Sequence, residues 1–97
     1  MKGIVWYKDY DKGLQQFLKI KKNYDYLGGI EKDVETKLSH YFIANNGDVW
    51  YLIKANECAR GYRANISYVD ENIENVIMKN IIDACTTALH YRGFNYY

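Results

Sequence analysis

The chain contains no proline, only two cysteines and no long hydrophobic run. Two cysteines in 97 residues are too few for the disulfide framework of a small secreted domain. No apolar run approaches the ~18 residues that a membrane-spanning helix needs, and the N-terminus lacks the layout of a signal peptide. The sequence therefore predicts a soluble, cytoplasmic protein.

The chain also has no large excess of positive or negative charge. Lys and Arg total 13, and Asp and Glu total 12, so the formal net charge is +1. Domains that bind nucleic acid usually carry a strongly basic face, and composition gives that function little support. A small basic cluster, Lys19, Lys21 and Lys22, is interpreted as a solvated helix face.

Histidine and cysteine, which bind zinc and serve in many catalytic sites, number only two each. A zinc site would need four side chains to converge, and their spacings match no short ligand motif: His40, Cys58, Cys85 and His90. The cysteines are interpreted as small, partly buried hydrophobic residues. Since no Ser-His-Asp or Cys-His signature is present either, the sequence predicts a non-enzymatic protein without metal or cofactor.

Tyrosine is what the chain has in quantity, with eleven residues within an aromatic content of 16%. Tyrosine combines a large apolar ring with a hydroxyl that needs a partner, and it is enriched at the centres of protein interfaces. A domain this small buries only about 60–65% of its unfolded surface, so some of these rings must lie at the surface. An aromatic core and a binding surface are both open as explanations.

Periodicity predicts the first elements of a single domain, residues 1–97. Gly3–Tyr7 is typical of a strand, and Asp9 or Asp11 is expected to cap the helix that follows. The apolar face of this helix is formed by Leu14, Phe17, Leu18, Tyr24 and Leu27. The pair 28–29, two glycines, ends it, and residues 30–39 suggest a short helix or an ordered loop.

A hairpin follows. The turn 45–48, Asn-Asn-Gly-Asp, separates the apolar runs His40–Ala44 and Val49–Ile53. Asn-Gly between two such runs is the strongest short-range signal for a β-hairpin. Asn65–Val69 is predicted to be a further strand.

A broad apolar stripe from Ile73 to Ala88 predicts the last helix. Asp70, Glu71 or Asn72 would supply its N-cap, where acidic residues suit the helix dipole. Gly93 would end the helix and leave a short aromatic tail.

The predicted element order is therefore β-α-(α)-β-β-β-α. It indicates the α+β class: one small domain with a roughly four-stranded, mostly antiparallel sheet and two main helices packed on it. If both helices share one face, surface tyrosines or a partner would cover the other.

The segment 59–71 is the strongest functional candidate. It contains a basic turn, a short apolar strand and two adjacent acids, Asp70 and Glu71. An acid at a strand end can hold magnesium through water, while the second orients the attacking water. Ligands of α/β folds bind at that edge of the sheet. The alternative is that both acids only cap the last helix.

Five features occur in one order: the strand 4–7, the helix 14–27, the hairpin 42–50, the Arg-Gly segment 59–65, and the strand 66–69 with its two acids. In that order they resemble the ATPase domain of the phage terminase large subunit, a motor that packages DNA. The resemblance covers most of residues 3–77 and is specific from Arg60 to Glu71. It implies that Asp70 and Glu71 correspond to the family's magnesium-linked Walker-B acids. The family's phosphate loop, G-x-x-x-x-G-K-[ST], and its nuclease domain have no counterpart here.

Together these features predict a non-enzymatic binding protein of phage or mobile-element origin. It would inhibit a host defence complex through protein–protein contacts in the host cytoplasm, as anti-CRISPR proteins do. The expected partner-binding residues are Arg60, Tyr62, Arg63, Tyr91, Tyr96 and Tyr97, since arginine forks bind carboxylates at two points and tyrosines anchor interfaces.

Two alternatives stay open at this stage. One is a degenerate or split terminase-like nucleotide-binding module, in which Asp70 and Glu71 bind magnesium beside a partner's phosphate loop. The other is a small nucleic-acid-binding protein that uses the lysine cluster and tyrosine stacking. For the arginines, the alternative is a solvated loop that pairs with Asp70 or Glu57.

Overall fold

The computed structural model describes residues 1–36, 40–56, 59, 61–86 and 93–97. Within these ranges the chain forms six strands, two α-helices and one short 3-10 helix. In chain order they are β1 (Lys2–Tyr7), α1 (Tyr10–Asn23), the 3-10 helix (Tyr24–Tyr26), β2 (Ile30–Glu35), β3 (His40–Ala44), β4 (Val49–Lys54), β5 (Ile66–Val69), α2 (Val76–Cys85) and β6 (Gly93–Tyr96).

These six strands form one mixed sheet in the order β2-β3-β4-β1-β5-β6. The first strand, β1, lies inside the sheet and runs parallel to both β4 and β5, and β6 runs parallel to β5. Strands β2, β3 and β4 form an antiparallel meander. The α+β class is confirmed, but the sheet has six strands and mixed directions rather than four mostly antiparallel ones.

One added strand is β2, where a short helix or an ordered loop was expected. It pairs antiparallel with β3, so that Val34 lies opposite Tyr41 and Glu35 opposite His40. Charged residues are tolerated at the edge of a sheet, where they discourage pairing with other chains. Pairing with β3 therefore overrides the four-residue apolar spacing that suggested a helix.

The other added strand is β6, which the sequence presented as a short aromatic tail. Phe94 lies opposite Ser67 and Tyr96 opposite Val69, along the outer side of β5. A four-residue strand has little periodicity of its own, and only the neighbouring strand makes its conformation favourable.

The hairpin is confirmed, and so are the first strand and the strand after residue 65. Gly47 has a φ of 93°, which glycine adopts at little cost, and its N–H donates to the Ala44 carbonyl at 3.0 Å. Strand β3 pairs with β4 in the register that this tight turn imposes, with Tyr41 opposite Tyr51.

Helix α1 begins as expected but ends early. Its N-cap is Asp9, whose carboxylate accepts the N–H of Asp11. The helix ends at Asn23, the 3-10 helix follows, and the glycines at 28 and 29 take φ angles of 101° and 84° beyond it. No helix in the described ranges is long and apolar enough to cross a membrane.

The predicted apolar face of α1 is only partly right. Phe17 and Tyr24 are buried and Leu14 is half-buried, but Leu18 and Leu27 are 45% and 55% exposed. Leu18 follows Phe17 directly and lies about 100° around the helix from it, which takes Leu18 off the buried face. Leu27 comes after the 3-10 helix, whose tighter geometry alters the angle between successive residues.

Helix α2 has a different N-cap from those expected. The Asn75 side chain accepts the N–H groups of Ile77 and Met78, whereas Asp70 follows β5 directly and Glu71 and Asn72 form a turn outside the helix. The prediction that these residues cap the helix is therefore wrong. Gly93 opens β6 instead of ending α2, and Ala88 lies outside the described residues.

The two helices pack on opposite faces of the sheet, because alternate side chains of β1 enter different cores. Val5 packs with Phe17 of α1, whereas Ile4 and Trp6 pack with Ile81 of α2. Strand β1 is therefore buried on both faces, as central parallel strands are.

Gly3 in β1 leaves room for the Trp50 indole. A Cβ at position 3 would overlap ring atoms of Trp50, which is buried and donates its ring N–H to the Tyr24 hydroxyl. We expect Gly3→Ala to lower the free energy of unfolding by about 1–3 kcal/mol, measured by urea denaturation. Gly61→Ala is the matched control, since a Cβ there meets no atom within 4 Å. Equal losses in both variants would contradict this packing explanation.

Candidate functional site

The carboxyl ends of the parallel strands β1 and β5 lie side by side at one edge of the sheet. The chain leaves β1 toward α1 on one face and leaves β5 toward α2 on the other. Ligands of open α/β sheets bind where neighbouring connections diverge in this way. An open cleft of 420 Å³ lies there, and its lining includes Lys8, Asp9 and Asp70.

Asp70 is fully buried directly after β5. Its Oδ2 accepts the backbone N–H groups of Lys8 and Asp9, at 3.2 and 3.3 Å. Its Oδ1 accepts the backbone N–H of Asn72 at 3.0 Å and the ammonium of Lys12 at 3.1 Å. Four donors thus satisfy this carboxylate, which ties the end of β5 to the start of α1.

The charges at this edge stabilise each other. Burial raises the pKa of Asp70, but the hydrogen bonds from Asn72, Lys12, Lys8 and Asp9 outweigh it and hold the pKa below its ordinary value. Desolvation lowers the pKa of Lys12, but the contacts with Asp70 and Glu71 outweigh it and hold that pKa above its ordinary value. At neutral pH the contact is therefore between a carboxylate and an ammonium.

This geometry bears on the magnesium hypothesis. Both oxygens of Asp70 already accept hydrogen bonds from the chain, so a metal ion would have to displace Lys12 and backbone donors. Glu71 is exposed, and its Oε1 lies 3.6 Å from the Lys12 ammonium. Among the described residues, no group of three or more His, Cys, Asp or Glu side chains is placed to hold a metal ion. The contacts of Asp70 are those of a structural carboxylate.

Tyr97 lies at the same edge and is held by the chain. Its hydroxyl donates to the Trp6 carbonyl at 2.7 Å, and its N–H donates to the Val69 carbonyl at 3.1 Å. Its carbonyl accepts the N–H of Glu71 at 2.8 Å, and the Lys12 ammonium lies 5.4 Å from its ring centre. Tyr97 therefore fastens the end of β6 to β5 and β1.

The other predicted partner-binding residues do not form one patch. Tyr62 and Arg63 precede β5, and the Tyr62 ring contacts Tyr51 of β4. Tyr96 is 70% exposed on β6, three strands away from β4, which is about 14 Å at normal strand spacing. Arg60 and Tyr91 lie outside the described residues.

Tyr62 belongs to a row of three tyrosines that the sequence analysis did not group. The ring centres of Tyr62 and Tyr51 lie 5.7 Å apart, and those of Tyr51 and Tyr41 lie 5.4 Å apart. All three are half-buried. The register of the predicted hairpin was a usable signal, since it places Tyr41 opposite Tyr51.

The hydroxyls of this row differ from those of the core tyrosines. Tyr24 donates to Asp48, and Tyr97 donates to a backbone carbonyl. Within the described part of the chain, the hydroxyls of Tyr41, Tyr51 and Tyr62 have no hydrogen-bond partner. They are available to an external partner.

The row begins at the margin of the α2 core, against which Tyr51 and Tyr62 pack, and continues to Tyr41 outside it. The buried residues of α2 pack over β1 and β5, and four half-buried apolar side chains on β2, β3 and β4 belong to neither core cluster: Val34, Tyr41, Ile43 and Val49. The register places these four on one side of the sheet. We call the surface formed by Val34, Tyr41, Ile43, Val49, Tyr51 and Tyr62 the tyrosine face.

Comparison with known proteins found no relative of this chain: no protein-family model, curated protein or solved structure matches it. The resemblance to the terminase ATPase domain therefore stays a prediction.

Asp70→Asn keeps the shape of the side chain but removes its charge and presents an NH₂ group to donors. We expect it to lower the free energy of unfolding by about 2–3 kcal/mol, because hydrogen bonds to a charged group are lost in a buried place. Urea denaturation followed by circular dichroism measures this. Glu71→Gln, exposed and adjacent, is the matched control and should change stability by less than about 0.5 kcal/mol. Similar losses of unfolding free energy in the two variants would contradict the claim that the buried contacts of Asp70 stabilise the fold.

Acid should weaken the fold through Asp33, Asp48 and Asp70. In each, burial raises the pKa, but hydrogen bonds to the charged form outweigh burial and hold the pKa below 3.8. The folded state therefore binds protons less tightly than the unfolded chain. The stabilisation is complete above about pH 5 and is lost as pH falls through 3.8 toward the folded-state values. Urea unfolding at a series of pH values should show this loss, with a shallower slope for Asp70→Asn. Unchanged stability down to pH 3 would refute it.

Proposed function

We propose that this protein is a non-enzymatic binding module that docks a protein partner on the tyrosine face. Its biological role would be inhibition of a host defence complex in the host cytoplasm, as anti-CRISPR proteins perform it. One observation carries the proposal: three half-buried tyrosines with unengaged hydroxyls form a row that leads from the margin of the α2 core onto apolar side chains outside both core clusters.

The tyrosine face has the chemistry of an interface centre. Tyrosine rings supply large, rigid contact area at low cost in conformational entropy, and their hydroxyls supply hydrogen bonds to a partner. Tyr24, in contrast, is a core residue: it is buried, and its hydroxyl accepts the Trp50 ring N–H. Burial and the hydrogen bond to Asp48 raise the pKa of Tyr24 to about 12. The chain thus uses tyrosine both in its core and on its surface.

Binding without catalysis also agrees with the edge that carries Asp70. A protein that inhibits by covering a partner's surface needs a complementary face but no reactive group. The acids that would serve catalysis are engaged in an internal contact with Lys12. The phage or mobile-element origin in this proposal rests on the sequence resemblance from Arg60 to Glu71, since a fold by itself does not identify a function.

The double variant Tyr62→Ala, Arg63→Ala should weaken partner binding by more than about tenfold, or ~1.4 kcal/mol, because it removes an anchor ring and an adjacent positive charge. The partner is first captured from host lysate and identified by mass spectrometry. Its affinity for each purified variant is then measured by titration calorimetry. Circular dichroism and urea unfolding confirm that the variant is folded.

Tyr10→Ala is the control for this test. Tyr10 is 42% exposed at the start of α1, away from the tyrosine face, and its replacement should leave affinity unchanged. An affinity that is unchanged in the double variant, or reduced equally in Tyr10→Ala, would overturn the proposed site.

A further inference from the structure

A second exposed surface lies on the far side of the molecule, along α1 and the 3-10 helix. Two neighbouring rows with four-residue spacing are exposed throughout: Leu18, Lys22 and Tyr26, and beside them Lys19, Asn23 and Leu27. Leu18, Lys22, Lys19 and Asn23 share one side of α1, since side chains three and four residues apart are neighbours on an α-helix. Tyr26 and Leu27 follow in and just after the 3-10 helix, which begins directly after α1. We call these six residues the α1 surface.

The apolar residues of this surface serve no contact within the core. The opposite side of α1 supplies the buried residues Phe17 and Ile20. Leu18, Leu27 and Tyr26 are 45%, 55% and 86% exposed. Covering a large apolar side chain is worth about 1.5–3 kcal/mol when burial is complete, so a partner that covers all three would gain substantially.

The charges around these side chains are mostly positive. Lys19 and Lys22 are exposed, and neither makes an ion pair within the described residues, whereas Lys21 between them is paired with Asp33. Asp25 is exposed beside Tyr26 and is the one acid within this stretch of sequence. The surface therefore has an apolar centre, a tyrosine anchor and a predominantly basic rim.

We propose that the α1 surface binds an acidic protein segment that carries apolar side chains. Carboxylates of the segment would face Lys19 and Lys22, while its apolar residues would cover Leu18, Tyr26 and Leu27. A tyrosine surrounded by polar residues is the usual anatomy of a binding hot spot. Complementary charge at the rim would set the orientation of the segment and speed its association.

Other occupants fit less well. A second copy related by a two-fold axis would place its own Lys19 and Lys22 close to these two lysines, and the like charges would repel. A membrane of anionic lipid would gain about 1 kcal/mol from each lysine and would repel Asp25, which leaves too little for stable binding. Nucleic acid draws most of its affinity from several phosphate contacts, and two lysines supply few.

This surface is separate from the tyrosine face. Helix α1 packs on the face of the sheet opposite to Tyr51 and Tyr62. Both surfaces can therefore be occupied together. The protein would then connect two partner proteins or bind two parts of one assembly.

The test is a chemical-shift titration of the ¹⁵N-labelled protein with a synthetic helical peptide. This peptide carries Glu on one face of its helix and Leu and Phe on the other. A second peptide has Lys in place of every Glu. The acidic peptide should shift the amide signals of residues 18–27, and the basic peptide should not. No shift with the acidic peptide, equal shifts with both peptides, or shifts confined to the tyrosine face would overturn the proposal.

Further titrations examine the competing occupants. They use vesicles of phosphatidylcholine and phosphatidylserine, a thymidine oligonucleotide, and the protein alone in sedimentation equilibrium. We expect no binding to vesicles or oligonucleotide and a monomer at micromolar concentration. Vesicle or oligonucleotide binding through residues 18–27, or a dimer that Lys22→Glu abolishes, would overturn the assignment of an acidic protein segment.

Charge-reversal variants make the result specific. Lys22→Glu should weaken binding of the acidic peptide by about tenfold, because an attractive contact becomes repulsive. Lys54→Glu, an exposed lysine at the end of β4, is the matched control and should leave affinity unchanged. If both variants lost the same affinity for the acidic peptide, the protein's net charge would explain the loss, and the proposed site would be overturned. The Tyr62→Ala, Arg63→Ala variant should bind the peptide normally, so failure at one surface is distinguishable from failure at the other.

Discussion

The buried carboxylate of Asp70 is the contact on which the arrangement of the central strands depends. It accepts four hydrogen bonds, from the start of α1, from the β1–α1 connection and from the turn after β5. An ionised group that is buried without partners would cost several kcal/mol, a large part of a small domain's total stability. The donors are therefore as necessary to the fold as the carboxylate, and Tyr97 fastens β6 at the same edge.

The width of the sheet explains why so much apolar surface stays uncovered. Six strands at ~4.8 Å spacing extend over about 24 Å, whereas a helix with its side chains is about 10–12 Å across. One helix on each face can cover only half of that face. Helix α1 covers the β3–β4–β1 side, and α2 packs with β1, β5 and the end of β4, so the part of the tyrosine face on β2 and β3 is left open.

The small number of helices is the structural basis of the two proposed binding surfaces. A domain that leaves half a sheet uncovered has to tolerate that surface in water or share it with a partner, and tyrosine suits both conditions because its ring is apolar and its hydroxyl is polar. The α1 surface adds exposed leucines and lysines on the other face. The molecule therefore presents two chemically different surfaces on a scaffold whose acidic residues at the strand ends are used internally.

The sequence by itself determined the elements whose signals are local: the Asn-Gly hairpin, the first strand, and a cap of α1 at Asp9 or Asp11, of which the structure uses Asp9. It also singled out Asp70, as a magnesium-linked acid or a helix cap. Only the tertiary structure brings Asp70 into contact with Lys12, which is 58 residues away in sequence, and gives the cap of α2 to Asn75. The strands β2 and β6 likewise depend on neighbours for their conformation, and parallel pairing joins segments that no local pattern relates. Local chemistry determines the hairpin turn and the start of α1, whereas the start of α2 and the face that each tyrosine occupies depend on burial and on pairing across the sheet.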